Sequence, residues 1–242
     1  VHLMEETIIH EGYQTIAAIL MEPMITGGGV LVPPDCYVPG IRKLCDKYGI
    51  LLIFDEVVSG FGRTGKMFGH QHWETQADIY TFAKGLASGY MPIAATVAKA
   101  HIFEGFLGKP AEMRHFRQIN TFGGHTVSTA VAMRNVQIVE EEDLTGNARE
   151  MGQYFRDQIT AEIGDHPYVG EIRGLGLLTG IELVEDRDTK VALDEGKLNV
   201  VTMTSVQNGV ILGRNSNTIP GRCNVLLVAP PLVINKSETD QI

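Results

Sequence analysis

Lys84 is the one charged residue in TFAKGLASGYMPIAA, the stretch from Thr81 to Ala95. Lysine is seldom buried without a partner, because taking an ammonium out of water costs far more than its stem gains. Two arrangements suit such a residue. The stem lies on apolar surface with the head in water, or the amine is kept neutral and reactive, as a Schiff-base lysine requires. A second candidate, Asp55, follows the apolar run ILLIF, Ile50 to Phe54. In open α/β sheets the carboxyl ends of strands line the ligand crevice, which places Asp55 well for chemistry. A turn or helix cap is the plainer role for such an acid.

The segment between them offers a different chemistry. GFGRTGKM, Gly60 to Met67, matches G-x-x-x-x-G-K, and LLIFDE resembles a Walker B strand, so a P-loop NTPase is one alternative. Three features oppose it. Met67 stands where a hydroxyl must bind magnesium, Asp55 to Ser59 separate the loop from the strand, and the two motifs come in reversed order. Asp55 and Lys84 together fit pyridoxal phosphate instead. A carboxylate beside the ring nitrogen keeps it protonated, so that the ring draws electrons, while a lysine carries the aldehyde and moves the substrate's α-proton. An apolar, desolvated setting favours the neutral amine, and Gly85 and Gly89 give backbone room beside a bulky ring.

The elements that must position these residues are legible in outline. A helix stopped at Gly12 precedes a strand from Thr15 to Met21, and Gly27 to Gly29 with Pro33-Pro34 break the chain. Tyr37, Ile41, Leu44 and Tyr48 mark a helix face ended by Gly49. The run ILLIF predicts a buried parallel strand, with further strands at Ile79–Phe82 and Ile93–Val97. Helices over Val127–Glu142 and Leu144–Ile163 follow. Beyond them the pattern predicts strands at Leu177–Leu183, Val210–Leu212 and Val225–Val228 and a helix near Gly196–Gln207. The division expected is residues 1–138, the C-terminal part of a large α/β domain, and 139–242, a small α+β domain cut short at its end. Ser237, with Asp240 three residues on, reads as the N-cap of a last helix. The opening VHLMEETIIHEGYQ, without an initiator Met, suggests an internal piece of a longer chain.

Composition narrows the partners. The 242 residues carry a net charge of −9 and no Lys/Arg-rich run, which disfavours nucleic acid and anionic membranes. No run reaches the length of a membrane span, and no signal peptide is expected. Cys36, Cys45 and Cys223 form no CxxC and have no His at metal-ligand spacing. They are expected to be free thiols in a reducing cytoplasm, with no metal site.

Four motifs, MEPMITGGGVLVPP, LLIFDEVVSGFGRTGKMFG, TFAKGLASGYMPIAA and INTFGGHTVSTAVAM, occur in the order and spacing of the class III (ω-type) aminotransferases. The chain resembles that family over essentially its whole length. The resemblance implies the aspartate aminotransferase fold, PLP fold type I: α/β, with a mixed, mostly parallel sheet in a partial large domain and a small α+β C-terminal domain. It implies pyridoxal 5'-phosphate as cofactor, with Lys84 as the Schiff-base lysine and Asp55 as the partner of the pyridinium nitrogen. Val57 corresponds to the residue packed on one ring face, where a β-branched side chain is suitably stiff. Thr121 corresponds to the threonine that reaches the cofactor phosphate of the neighbouring subunit in a homodimer. Glu22 takes a supporting role in the cofactor site, and Gly60 to Phe68 form an active-site loop.

Two departures bear on substrate. Gly27 stands where glutamate-using members carry a second Glu, and Val58 where they carry a Gln. Both changes resemble the pyruvate-using branch, which includes taurine–pyruvate and β-alanine–pyruvate aminotransferases. The implied substrates are a primary amine or ω-amino acid and a small keto acid. A substrate anion needs a cation, ideally a planar fork. Arg214 is the candidate, with Arg222 nearby, and a solvated loop arginine is the alternative for it. The family's phosphate-binding Gly/Ser segment and its ring-stacking aromatic precede the first of these motifs. Whether the piece alone binds cofactor, or is a non-catalytic folded fragment, stays open.

Overall fold

The computed structural model describes residues 1–215 and 223–242, which form two compact units. The first comprises Val1–Pro23, Pro34–Gly60 and His70–Ile138; the second comprises Met24–Pro33, Phe61–Gly69 and Val139–Ile242. Two short segments from the first half of the sequence thus belong to the later unit.

In the first unit, α1 (His2–Glu11) ends at Gly12, whose φ of 79° suits a residue without a Cβ. The expected strand begins late. Thr15 Oγ1 donates to the Glu11 and Gly12 carbonyls and closes a 3₁₀ turn over Tyr13–Thr15, so β1 spans only Ala18–Met21. Helix α2 (Tyr37–Tyr48) buries Val38, Ile41, Leu44 and Cys45 on one face and stops at Gly49 in the left-handed region. Strands β2 (Leu51–Asp55), β3 (Ile79–Phe82) and β4 (Ala95–Ala98) complete a sheet ordered β1-β2-β3-β4. The β1–β2 and β2–β3 pairs are parallel and β3–β4 is antiparallel, a mixed and mostly parallel α/β sheet. Leu52 and Phe54 are fully buried, as the run ILLIF predicts.

One carboxylate ties three of these elements together. Asp78 accepts from Arg42 on α2 at 2.8 Å, from Lys99 beyond β4 at 3.1 Å and from the Leu52 N–H in β2 at 2.9 Å. Its own burial pushes its pKa up, but these three donors more than reverse that and hold it at about 2. A short helix α3 (Ala100–Glu104) and a long exposed stretch then lead to α4 (Thr126–Glu141). The chain passes from the first unit to the second inside this helix.

The second unit is built on α5 (Leu144–Ile163) and an antiparallel sheet, β5 (Val169–Leu175), β6 (Leu178–Leu183), β7 (Gly213–Arg214) and β8 (Val225–Val228), ordered β5-β6-β8-β7. Phe155 of α5 packs with Val169, Ile181 and Leu226 of the sheet and with Leu198 of α6 (Glu195–Gln207). Strand β5 is absent from the sequence expectation, and β7 lies just beyond the expected Val210–Leu212 run. The last helix, α7 (Lys236–Thr239), corrects another expectation. Its N-cap is Asn235, whose side chain accepts from the Glu238 N–H while Glu238 accepts from the Asn235 N–H. Ser237 is therefore inside the helix, because the Asn-x-x-Glu box fixes the start two residues earlier.

Candidate active site

Three successive parallel strands end on residues able to do chemistry. Met21 is the register partner of Phe54, so Glu22 and Asp55 each stand one residue further along neighbouring strands. Asp55 is in turn the partner of Thr81 on β3, and Lys84 follows two residues after that strand ends. Glu22, Asp55 and Lys84 thus share the carboxyl edge of β1, β2 and β3, the edge at which open α/β sheets bind ligands. Val57 comes two residues beyond Asp55 and is half-buried.

Asp55 is half-buried, and its Oδ1 accepts from the Val57 N–H at 2.9 Å. Among the described residues no donor reaches its Oδ2. The next residue, Glu56, is fully buried. It accepts from Ser59 Oγ at 2.6 Å and from the His70 N–H at 2.8 Å, and its Oε1 lies 2.8 Å from His70 Nδ1. The one trace of this anchor in the sequence is the acidic doublet Asp55-Glu56 after an apolar strand. The stretch Gly60–Met67 does not have P-loop geometry. It turns back on itself through Gly65 N–H to Gly62 O and Gly62 N–H to Met67 O, and runs into a 3₁₀ turn at Gly69–Trp73. No α-helix N-terminus follows Lys66 to receive a phosphate.

Lys84 departs from its expected setting. It is exposed, not desolvated among apolar groups, and it opens a 3₁₀ turn over Lys84–Leu86. β3 ends at Phe82, and Lys84, two residues on, has a φ of 42°. A left-handed lysine is strained, and such strain collects at sites where the fold over-determines a side chain. Its amine has no hydrogen-bond or ion-pair partner among the described residues. Gly89, with φ of 77°, has open space where a Cβ would be. Asn135 of α4 touches the same turn, donating to Gly85 O at 2.8 Å and Leu86 O at 3.2 Å and accepting from Ser88 Oγ at 2.6 Å. Nothing in its helical sequence context singled it out.

Thr121 is exposed in a turn closed by Gly123 N–H to Asn120 O, and its hydroxyl has no partner among the described residues. Its neighbours Ile119 and Phe122 are 91% and 78% exposed. In the second unit, Arg214 donates to Asn199 Oδ1 at 2.8 Å and Cys223 O at 3.4 Å, and lies 3.8 Å from Glu195. It lines a cavity of about 270 Å³ with Asp194 and Glu195. Arg222 lies outside the described residues.

Asp55 at the end of β2 and Lys84 just beyond β3 thus follow neighbouring parallel strands at one sheet edge. The family model "Aminotransferase class-III" matches residues 2–242, and the chain belongs to that family, whose members depend on pyridoxal phosphate. A taurine–pyruvate aminotransferase of Bilophila wadsworthia is 43% identical over 240 residues, 99% of this chain and 53% of that protein. A solved Bacillus anthracis aminotransferase superposes with a TM-score of 0.95 at 47% identity, over 98% of this chain and 52% of the other. The ω-transaminase of Pseudomonas jessenii, solved with PMP, gives 0.90 at 41% identity, over 98% and 51%. The chain spans about half the length of the curated relatives it matches. No helix among the described residues is long and apolar enough to cross a membrane.

Proposed function

We propose that the whole protein is a pyridoxal-phosphate aminotransferase that moves an amino group from a primary amine or ω-amino acid, of the taurine or β-alanine class, to pyruvate. The observation that carries this reading is the shared edge of Glu22, Asp55 and Lys84, with an amine left unpartnered on a strained turn. Pyridoxal phosphate, when bound, supplies an aldehyde and an electron-withdrawing ring. Lys84 would hold the aldehyde at rest and, once displaced by substrate, would take the proton from the carbon that bears the amine. Asp55 would keep a proton on the ring nitrogen, Val57 would pack on one ring face, and Glu22 would take a supporting role in the cofactor site.

Thr121 would donate to the phosphate in the neighbouring subunit of a homodimer. The exposed apolar pair Ile119 and Phe122 beside it supports a covered surface there. Arg214 holds the substrate's carboxylate or sulfonate. Gly27 and Val58, which lack the acid and amide of the glutamate-using branch, favour pyruvate as acceptor, and the taurine–pyruvate relative agrees with that preference. The test is the visible absorbance of the whole protein with pyridoxal phosphate. Lys84→Ala should abolish the lysine-bound band and the transfer of nitrogen to pyruvate. A variant that keeps both overturns the reading.

A further inference from the structure

Two carbonyls and one hydroxyl of the turn after β3 converge on one amide. Asn135 Nδ2 donates to Gly85 O and Leu86 O, while its Oδ1 accepts from Ser88 Oγ. The turn they belong to has two non-glycine residues in the left-handed region, Lys84 at φ 42° and Ser88 at φ 48°. Its internal bonds are few: Leu86 N–H to Ala83 O, Ala87 N–H to Lys84 O and Tyr90 N–H to Ala87 O. Such a conformation persists only where surrounding contacts outweigh its cost. Three such contacts come from Asn135 of α4.

We propose that Asn135 is a positioning residue for Lys84: by fastening Gly85, Leu86 and Ser88 it keeps Lys84 in its left-handed conformation, with the amine held at the edge that carries Asp55. The proposal rests on the reading of Lys84 as the reactive amine. An amide suits the task because it supplies two N–H donors and an acceptor from one planar group. Aspartate has the same shape and still accepts from Ser88, but it sets a carboxylate against two carbonyl oxygens. Leucine fills the space and bonds to nothing.

The test uses the whole protein with Asn135→Asp, Asn135→Leu and Ser88→Ala. With pyridoxal phosphate bound, both Asn135 variants should lose about tenfold in kcat while KM for amine and keto acid stays within about twofold, as expected when a reacting group is misplaced and binding is spared. The pH titration of the visible lysine-bound band should shift in parallel. In the cofactor-free protein, hydrogen exchange at the Leu86, Ala87 and Tyr90 amides should quicken in Asn135→Asp while exchange in β2 is unchanged. Unaltered kcat, band and exchange overturn the proposal. So does faster exchange throughout β2 and β3, which marks a general packing role. Should the Asn135 variants fail to fold, Ser88→Ala decides, with quicker exchange and lower kcat expected and no change in either overturning it. Lys84→Ala separates the two readings. If it keeps the visible band, the aminotransferase reading falls; if it loses the band while Asn135→Asp behaves as wild type, only the role of Asn135 falls.

Discussion

Asp55 Oδ1 accepts the Val57 N–H at 2.9 Å, so one oxygen of the carboxylate fixes the backbone after β2 while the other is left open. Asparagine can reproduce that bond through its own Oδ1. Asp55→Asn therefore removes the charge and keeps the turn. The chemical step should slow on the order of a hundredfold or more, as when a group that stabilises developing charge is lost from a dry site. The lysine-bound absorbance should persist. Rapid-quench kinetics of a single half-reaction, with the visible spectrum as control, check both parts; normal turnover would leave Asp55 as a turn residue.

Thr121 sits between exposed Ile119 and Phe122, and its proposed target is the partner's phosphate. Mixing inactive Lys84→Ala chains with inactive Thr121→Val chains produces dimers in which one site has both its own lysine and the partner's threonine. Complete exchange of equal amounts makes half of the dimers mixed, each with one intact site, so activity should return toward about a quarter of the unaltered protein's. Verified exchange with no recovery would place Thr121 elsewhere.

Arg214 is held by Asn199 and lies 3.8 Å from Glu195. Charge-assisted forks to carboxylate or sulfonate are strong, so Arg214→Ala should lower kcat/KM for taurine or β-alanine on the order of tenfold more than for a neutral amine. Steady-state kinetics across the two donor types measure this. Half-reactions with pyruvate and 2-oxoglutarate, run on the unaltered protein, test the acceptor preference.

Asp78 has its pKa held at about 2 by Leu52, Arg42 and Lys99 against the opposing effect of its burial. A folded value below the unfolded one means that the charged form stabilises the fold. That contribution is whole above about pH 4 and is lost as pH falls through about 2. Asp78→Asn should cost about 2 kcal/mol near neutral pH, from the size of the shift, and its deficit should shrink on acidification. Thermal unfolding of both forms across that range is the measurement.

What could be read in advance depended on whether the cause was local. β2 was legible because its apolar run is unbroken, with Leu52 and Phe54 fully buried and Leu51 and Ile53 half-buried, and α5 because its buried residues recur at helical spacing. β5, with Gly170, Glu171, Arg173 and Gly174, shows neither pattern. Its Arg173 is paired with Glu171 and Glu182 and donates to Gly29 O, a partner that no local window contains. Ordered motifs pointed to Lys84 and Asp55. The left-handed exposure of Lys84 was hidden, because nothing about a lysine announces a positive φ. The amide that fastens its turn lies 50 residues from Gly85.

The interleaving of the two units has a consequence for synthesis on the ribosome. The Gly29 carbonyl waits for Arg173, 144 residues downstream, and the half-buried Arg63 guanidinium waits for the Pro230 carbonyl, 167 residues downstream. At about 5–20 residues per second the first delay alone lasts about 7 to 30 s. During it the strands on either side of segment 24–33 can already pair, while that segment stands in water as a loop. The newly made chain therefore passes through a stage in which segment 24–33 lacks its later partners and is open to chaperones and proteases.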